Sequence, residues 1–206
     1  PEPVKVIRKV EGSNDNCGGI FHFFFAPKYL PPPILKLAFV LSFLILCSYM
    51  DHFNYIQGKL FAEQVPVETI AEKVGTPAYI YSKATFLEHL RKIQHAYKTI
   101  DTTICYSIKA CSNINILKFL AKAGSGFDIV SGGELYRAIQ AGADPGKIVY
   151  AGVGKTDKEI IEALDAGIAY FNIESEAELE NLIRLAKQKG KTPKAALRVN
   201  PDVDPK

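Results

Sequence analysis

The sequence predicts an α/β fold with a parallel sheet, in the form of a truncated (β/α)8 barrel. Strand-like runs begin near Ile104, Gly126, Lys147, Ala169 and Ala195, with helical patterns between them, and this regular alternation predicts a parallel sheet. The strands start roughly 20 to 26 residues apart, and such short, even units favour a closed barrel over a doubly wound sheet. A complete barrel needs eight strands in about 200–250 residues. Five strands therefore predict the first part of a barrel, with an open sheet as the alternative.

Start and stop signals support each predicted helix. Thr156 with Glu159, and Ser175 with Glu178, have the spacing of capping boxes. Glycines stand just past the predicted helix ends, where a left-handed backbone is favoured; they are Gly124, Gly142, Gly167 and Gly190. Upstream, residues 77–81 (PAYIY) predict a strand and residues 83–97 a helix.

The first 49 residues differ from the rest of the chain. Residues 37–47 form an apolar run that is short of the about 20 residues needed to span a bilayer. No small-residue cleavage site follows it, and the single methionine, Met50, stands just after it. We therefore interpret residues 1–49 as upstream or non-native sequence, with a membrane anchor, a targeting segment or a structured extension as alternatives.

Composition excludes several functional classes. The chain is 48% hydrophobic and 23% charged with a net charge of +3, so no nucleic-acid interface is expected. The four cysteines lack metal-ligand spacing and indicate a reducing compartment. The segment GVGKT resembles a phosphate-binding loop, but Val149 stands where that motif requires its first glycine.

Lys109 is the strongest candidate for chemistry in the sequence. It follows the strand-like run 103–108, on the same side as the small residues Cys105 and Ser107. Ligands of parallel α/β proteins bind at the C-terminal ends of the strands. A lysine amine placed there suits a Schiff base with an aldehyde cofactor.

Several longer stretches carry a family resemblance. From Met50 onward, the chain contains YSIKACSN, GSGFDIVSGGELYRAIQAG, FNIESEAELE and ALRVNPDVDP in this order. Together they resemble the N-terminal part of diaminopimelate decarboxylases, which are fold-type III pyridoxal-phosphate enzymes with an alanine racemase-like barrel. The resemblance implies decarboxylation of meso-2,6-diaminopimelate to L-lysine, the last step of lysine biosynthesis, with pyridoxal 5'-phosphate as cofactor.

The resemblance also assigns roles to four residues. It implies that Lys109 is the catalytic, cofactor-binding lysine and that Asp128, Arg198 and Glu134 lie near the cofactor, with no metal. A turn aspartate, a surface arginine at a strand end and a glutamate that only stabilises its helix dipole are the alternatives. Ser131, Gly132 and Gly133 form the strand-to-helix turn.

The resemblance divides the chain into three parts. Residues 1–49 have no counterpart, residues 50–82 form a leader that belongs to a C-terminal β domain, and residues 83–206 form the incomplete barrel. It implies an amino-acid substrate, a homodimer for the full-length protein, a cytoplasmic location and no membrane or nucleic-acid partner, with the fragment alone inactive. Decarboxylases of arginine, ornithine or carboxynorspermidine remain alternatives, as does a non-enzymatic pyridoxal-phosphate protein.

Overall fold

The computed structural model describes residues 8–10, 21–25 and 52–199 of the 206-residue chain. This part divides into two compact units: one contains residues 8–10, 21–25 and 97–199, and the other contains residues 52–96. Among the described residues, no helix is both long and apolar enough to cross a membrane. The apolar run 37–47 and Met50 lie outside the described residues.

The smaller unit combines a three-stranded antiparallel sheet with two helices. Two strands, β1 (Arg8–Val10) and β2 (Phe21–Phe25), precede this unit in the chain and belong to the larger one. The elements of the smaller unit are β3 (Phe53–Ile56), β4 (Lys59–Ala62), β5 (Val65–Pro66), α1 (Val67–Val74) and α2 (Lys83–Ala96). Glu63 follows β4, and its carboxylate accepts hydrogen bonds from the Ser82 hydroxyl and the Ala84 N–H, each at 2.8 Å. The sheet is thus tied to the N-terminus of α2.

The predicted strand at residues 77–81 is wrong. These residues have no strand conformation, and Tyr79 is 91% exposed. Alternating aromatic and β-branched residues favour a strand only where a neighbouring strand supplies hydrogen-bond partners and a surface to pack on. The predicted helix at 83–97 is confirmed as α2. The assignment of residues 50–82 to a β domain stays a prediction.

The larger unit contains five parallel strands in sequential order. They are β6 (Ile104–Ser107), β7 (Gly126–Ile129), β8 (Ile148–Tyr150), β9 (Tyr170–Ile173) and β10 (Ala195–Leu197). Each begins within one residue of its predicted start. Strand β2 pairs antiparallel with β6, and β1 pairs antiparallel with β2, so the sheet has seven strands.

A helix follows each of the first four parallel strands. These are α3 (Ile114–Lys122), α4 (Gly132–Gln140), α5 (Asp157–Ala166) and α6 (Glu176–Gln188), with short 3-10 turns at Ile108–Ala110 and Pro145–Lys147. The capping box of Thr156 and Glu159 is complete. Ser175 caps α6, but the Glu178 carboxylate bonds elsewhere, so the second predicted box is only half formed.

The two faces of the parallel sheet have different chemistry. Large buried side chains share one face, where Tyr106 packs edge-on against Phe127 and Tyr150 stacks on Phe171. Because side chains alternate along a strand, Ser107 and Asp128 point to the opposite face. That polar face carries the candidate site at the C-terminal ends of the strands.

Candidate functional site

Lys109 lies just beyond the end of β6. The strand stops at Ser107, and Lys109 belongs to the 3-10 turn Ile108–Ala110, which contacts β7. The position predicted at the strand end is therefore shifted into the turn that follows. The side chain is exposed, and its amine makes no hydrogen bond or ion pair with the residues that the structure describes. This amine is accessible to a ligand.

Ser107 and Asp128 form a buried pair beside this turn. They occupy matching positions on β6 and β7, and are 0% and 3% exposed. The Ser107 hydroxyl donates to Asp128 Oδ2 at 3.3 Å. Burial, followed by the nearby charge of Asp128, raises the pKa of the Cys105 thiol to about 12. A thiol with that pKa is protonated at neutral pH and is not a nucleophile.

Glu134 joins the same corner from the first turn of α4. Its Oε2 accepts the Val130 N–H at 2.8 Å, and its own N–H donates to the capping Ser131 hydroxyl at 3.2 Å. Burial and then the charge of Asp128 raise the pKa of Glu134, although the Val130 N–H and the charge of Lys109 oppose them. The structure thus brings Lys109, Asp128 and Glu134 into one electrostatic cluster.

The turn between β7 and α4 is held by a helix further along the chain. The Gly132 N–H donates to Glu159 Oε1 at 2.8 Å, and a Cβ on Gly132 would lie 2.9 Å from Glu159 Cγ. Glycine at this position therefore permits close approach of the α5 carboxylate. Gly133 has no comparable neighbour, since its nearest atom is the Ser131 hydroxyl at 3.9 Å.

Arg198 lies at the C-terminal end of β10. Its backbone N–H donates to the Ile173 carbonyl at 2.9 Å, and its Nη1 donates to Glu174 Oε2 at 2.8 Å. The Arg198 side chain is 42% exposed, whereas Glu174 is only 9% exposed. Arg198 therefore belongs to the same rim of the sheet as Lys109, where it is oriented by the carboxylate at the end of β9.

Sequence reasoning missed Glu174 and gave no role to Lys155. The side chain of Lys155 is 1% exposed, and its amine donates to the Gly152 carbonyl (2.6 Å), the Asn172 carbonyl (2.9 Å) and Glu178 Oε1 (2.6 Å). An ammonium group has three donors, and all three are used here. The lysine of GVGKT therefore has no donor left for a phosphate group.

Glu174 is the carboxylate that links this buried lysine to Arg198. Its Oε1 accepts the Gly152 N–H at 3.1 Å. Burial raises the pKa of Glu174, but the Gly152 N–H, the hydrogen bond and charge of Arg198, and the charge of Lys155 outweigh burial and lower the pKa overall. The only sequence signal for this arrangement was Glu178 three residues after Ser175, which we interpreted as a helix cap.

Comparisons with known proteins identify the family. Residues 83–206 match the family model described as "Pyridoxal-dependent decarboxylase, pyridoxal binding domain". The chain belongs to this family, and pyridoxal phosphate is the cofactor that the family uses.

Individual relatives narrow the resemblance. The chain is 47% identical to the diaminopimelate decarboxylase of Haemophilus influenzae over 155 residues, and 49% identical to that of Vibrio cholerae over 158 residues. These matches cover 75% and 76% of this chain, but 37% and 38% of the relatives. The predicted resemblance to diaminopimelate decarboxylases is confirmed, and the chain spans less than two fifths of the length of these relatives.

Solved structures agree on the fold. A crystal structure from Aquifex aeolicus superposes with a TM-score of 0.70 at 43% identity, covering 76% of this chain and 39% of that one. The diaminopimelate decarboxylase of M. jannaschii in complex with L-lysine gives a TM-score of 0.69 at 35% identity, covering 74% and 37%. The predicted partial barrel of a fold-type III enzyme is confirmed.

The residues at the rim fit an aldehyde cofactor. An exposed lysine amine can bond to the aldehyde, and the carboxylates of Asp128 and Glu134 supply opposite charge close to it. The roles of Lys109, Asp128, Glu134 and Arg198 toward the cofactor stay predictions.

Proposed function

We propose that this chain supplies the cofactor-lysine part of a diaminopimelate decarboxylase, which converts meso-2,6-diaminopimelate to L-lysine. The proposal is supported by relatives of that name at 46–49% identity. The observation that carries it is the accessible amine of Lys109 at the C-terminal rim of the sheet, beside the buried carboxylate of Asp128. The L-lysine in the M. jannaschii complex is the product expected for this reaction.

The cofactor, when bound, accepts the electron pair left on the substrate carbon as carbon dioxide departs. The amine of Lys109 would hold the cofactor through its aldehyde, and the same amine, when free, could move a proton at this corner. Asp128 attracts that amine by charge, and the Ser107 hydroxyl keeps the carboxylate in place. Glu134, whose pKa is raised by burial, is a second group that can hold a proton at this corner.

Arg198 is proposed to contact the cofactor from the other side of the rim. Its guanidinium is planar and always charged, which suits contact with an anionic or aromatic group. Glu174 restrains this guanidinium at one nitrogen. Arg198 thus provides a fixed positive charge rather than a proton donor.

We further infer that the complete enzyme is a cytoplasmic homodimer. The dimer is implied by the family resemblance, in which the partner contributes to the site. Cys105 and Cys111 are free thiols, as expected in a reducing compartment. Light scattering of the purified holoenzyme will measure its mass, and a monomer with full activity will contradict the dimer.

The pairing of β2 with β6 supports the interpretation of residues 1–49 as upstream sequence. Strand β2 occupies the edge of β6, and a closed barrel pairs its first strand with its last. We therefore expect a protein that begins at Met50 and continues through the whole barrel to be as active as the longer form. Loss of activity on this deletion will contradict the interpretation.

Reduction with borohydride tests the proposed function. Borohydride converts the bond between a lysine and the cofactor into a stable one, and peptide mapping then identifies the labelled residue. We expect the label on Lys109 and none on Lys155, whose amine is buried. A label on another lysine will contradict the assignment.

A substrate panel separates the alternative activities. The holoenzyme that contains this chain is supplied with meso-diaminopimelate, arginine, ornithine or carboxynorspermidine, and carbon dioxide release is measured. We expect turnover of meso-diaminopimelate. Turnover of another substrate will identify a different decarboxylase, and cofactor binding without turnover of any of the four will favour a non-enzymatic protein.

A further inference from the structure

We propose that Lys155 is a positioning residue that holds Arg198 in its cofactor-facing orientation, acting through Glu178, Gly152 and Glu174. The inference rests on the proposed function, because it takes Arg198 to contact the cofactor. Lys155 itself is 1% exposed, so it acts only through its neighbours.

The first connection runs through the side chain of Glu178. One of its oxygens accepts the Lys155 amine at 2.6 Å, and the other accepts the backbone N–H of Glu174 at 3.0 Å. The buried ion pair therefore fixes the backbone of Glu174, at the point where β9 ends. A carboxylate serving only as a helix cap would instead bond the N–H of Ser175.

The second connection runs through Gly152. The Lys155 amine donates a hydrogen bond to the Gly152 carbonyl at 2.6 Å. The Gly152 N–H in turn donates to Glu174 Oε1 at 3.1 Å. Gly152 has φ +99°, and a Cβ there would lie 3.5 Å from Val130. Lys155 thus fixes a loop residue whose N–H holds the Glu174 side chain.

Both connections meet at Glu174, whose other oxygen holds Arg198. The two carboxylates, Glu178 and Glu174, lie between the two cations, Lys155 and Arg198. Each carboxylate accepts one hydrogen bond from a cation and one from a backbone N–H. The side chains of Lys155, Glu178, Glu174 and Arg198 are 1%, 11%, 9% and 42% exposed, respectively. These contacts therefore connect the buried charge of Lys155, which solvent and salt screen only weakly, to the guanidinium of Arg198 at the rim of the sheet. Restraining that guanidinium before the cofactor arrives reduces the ordering cost of binding.

A purely structural role for Lys155 predicts different behaviour. If Lys155 only fills the space between β8, β9 and α6, its removal will weaken the fold regardless of the residue at position 198. If it positions Arg198, its removal will weaken cofactor binding only while Arg198 is present. A double-mutant cycle separates these two cases.

The cycle uses the holoenzyme that contains this chain, stripped of cofactor and titrated with pyridoxal phosphate. Lys155→Met combined with Glu178→Gln removes both buried charges while keeping an acceptor for the Glu174 N–H, so no unpaired charge is left inside. This pair is introduced with native Arg198 and with Arg198→Met. The control is Lys158→Met, because Lys158 follows Lys155 closely in the chain, in the first turn of α5, but is 85% exposed.

We expect the Lys155→Met, Glu178→Gln pair to raise the dissociation constant of the cofactor about tenfold with native Arg198, and less than about twofold with Arg198→Met. Lys158→Met should change neither. Equal losses in both backgrounds, or no loss with native Arg198, will overturn the proposal. Thermal unfolding of each variant shows whether it is folded.

Glu174→Gln provides an independent test if the Lys155→Met, Glu178→Gln variant does not fold. It keeps an acceptor for the Gly152 N–H and removes only the negative charge that faces Arg198. Its effect on cofactor affinity should also depend on Arg198, and an effect independent of Arg198 will overturn the proposal.

If Arg198→Met alone leaves cofactor affinity unchanged, Arg198 does not contact the cofactor. The inference then fails, while the labelling of Lys109 still supports the proposed function. If no lysine is labelled and no cofactor binds, the proposed function itself fails.

Discussion

Two lysines at the same rim of the sheet have opposite environments. Lys109 follows β6 and is exposed, with no hydrogen bond or ion pair to the described residues. Lys155 follows β8 and is buried, with all three of its donors bound to oxygen atoms. Only Lys155 stands in a sequence that resembles a phosphate-binding loop. The acceptors around an amine, rather than the motif that contains it, decide whether the amine can react.

The carboxylates near the two lysines also differ, because the pKa of Glu134 near Lys109 and that of Glu174 near Lys155 are shifted in opposite directions. At the Lys109 corner, burial and the charge of Asp128 raise the pKa of Glu134. At the Lys155 corner, each of the two carboxylates is paired with a cation, and the pKa of Glu174 is lowered. The first corner is therefore suited to receive a ligand, and the second to hold a fixed geometry.

Replacing Lys109 should have the largest effect on activity and almost none on the fold. Lys109→Met removes the amine that we propose holds the cofactor, so decarboxylation by the holoenzyme should fall below detection. Because the side chain is exposed, the free energy of unfolding should change by no more than about 0.5 kcal/mol. Steady-state carbon dioxide release and denaturant unfolding measure the two quantities. Retained turnover would remove Lys109 from the site.

Replacing Lys155 should have the largest effect on stability. Lys155→Met leaves the carboxylate of Glu178, which is 11% exposed, without its cation. Breaking a buried pair in this way costs about 3–5 kcal/mol. Urea unfolding measures the loss, and adding Glu178→Gln should recover much of it because the unpaired charge is removed.

The matched control is Lys158→Met, in the first turn of the helix that follows Lys155. Lys158 pairs with Glu162 at 3.9 Å, and both side chains are well exposed. Surface pairs of this kind contribute about 0–1 kcal/mol. Similar losses from Lys155→Met and Lys158→Met would show that the buried pair adds nothing, which would abolish the contrast between the two corners.

Ser107→Ala should have an intermediate effect at the Lys109 corner. The serine is fully buried, and its hydroxyl donates to Asp128 at 3.3 Å. Removing a hydrogen bond to a charged group costs about 1.5–3 kcal/mol of stability. Denaturant unfolding measures this. Ser125→Ala is the comparison, since among the described residues its buried hydroxyl bonds to backbone carbonyls, those of Ile104 and Gly126, and to no charged group. A smaller loss at Ser107 than at Ser125 would contradict the role of the Asp128 charge.

The parallel part of the fold was predictable because each of its elements carries a local signal. Apolar strand runs, glycines after helix ends and the cap at Thr156 locate the elements from Ile104 to Leu197. Glycines at 124, 142, 167 and 190 all have positive φ, as predicted. The strand at 77–81 failed because strand propensity does not reveal whether a pairing partner exists. The three short strands within residues 53–66 were missed because their apolar alternation is weak.

The site was only partly predictable. Lys109 lies in the turn after β6 and Asp128 near the end of β7, so topology alone places them at the rim, and the family resemblance supplies Glu134 and Arg198. The connections of Glu174 and Glu178 join residues about 22 to 24 positions apart. No spacing rule within one helix or strand covers that separation. Because Glu178 has the spacing of a capping box with Ser175, nothing in the sequence indicated its ion pair with Lys155.

Glu134 and Glu174 should give the smallest effects, with opposite signs on acidification. The folded-state pKa of Glu134 is raised above its unfolded value of 4.5, so ionised Glu134 weakens the fold, and this cost disappears as pH falls to below 4.5. The folded-state pKa of Glu174 is lowered, so its contribution is fully present above pH 4.5 and is lost as pH falls through the folded-state pKa. Glu134→Gln should therefore steepen the acid loss of stability, and Glu174→Gln should flatten it.

The measurement is the free energy of unfolding from urea titrations at a series of pH values between 7 and the acid limit of folding. Only the slopes with pH are compared, because each substitution also changes contacts that do not titrate. Lys109→Met provides an internal check, because it removes a positive charge that lowers the pKa of Glu134. The pKa of Glu134 should then rise further. In the Lys109→Met protein, Glu134→Gln should therefore change the slope of unfolding free energy with pH by more than it does in the native protein. Glu174 is held by Arg198 and Lys155 rather than by Lys109, so its slope should not respond. If both glutamates shift the slope in the same direction, or if Lys109→Met alters the Glu174 slope instead, the two corners are not electrostatically distinct.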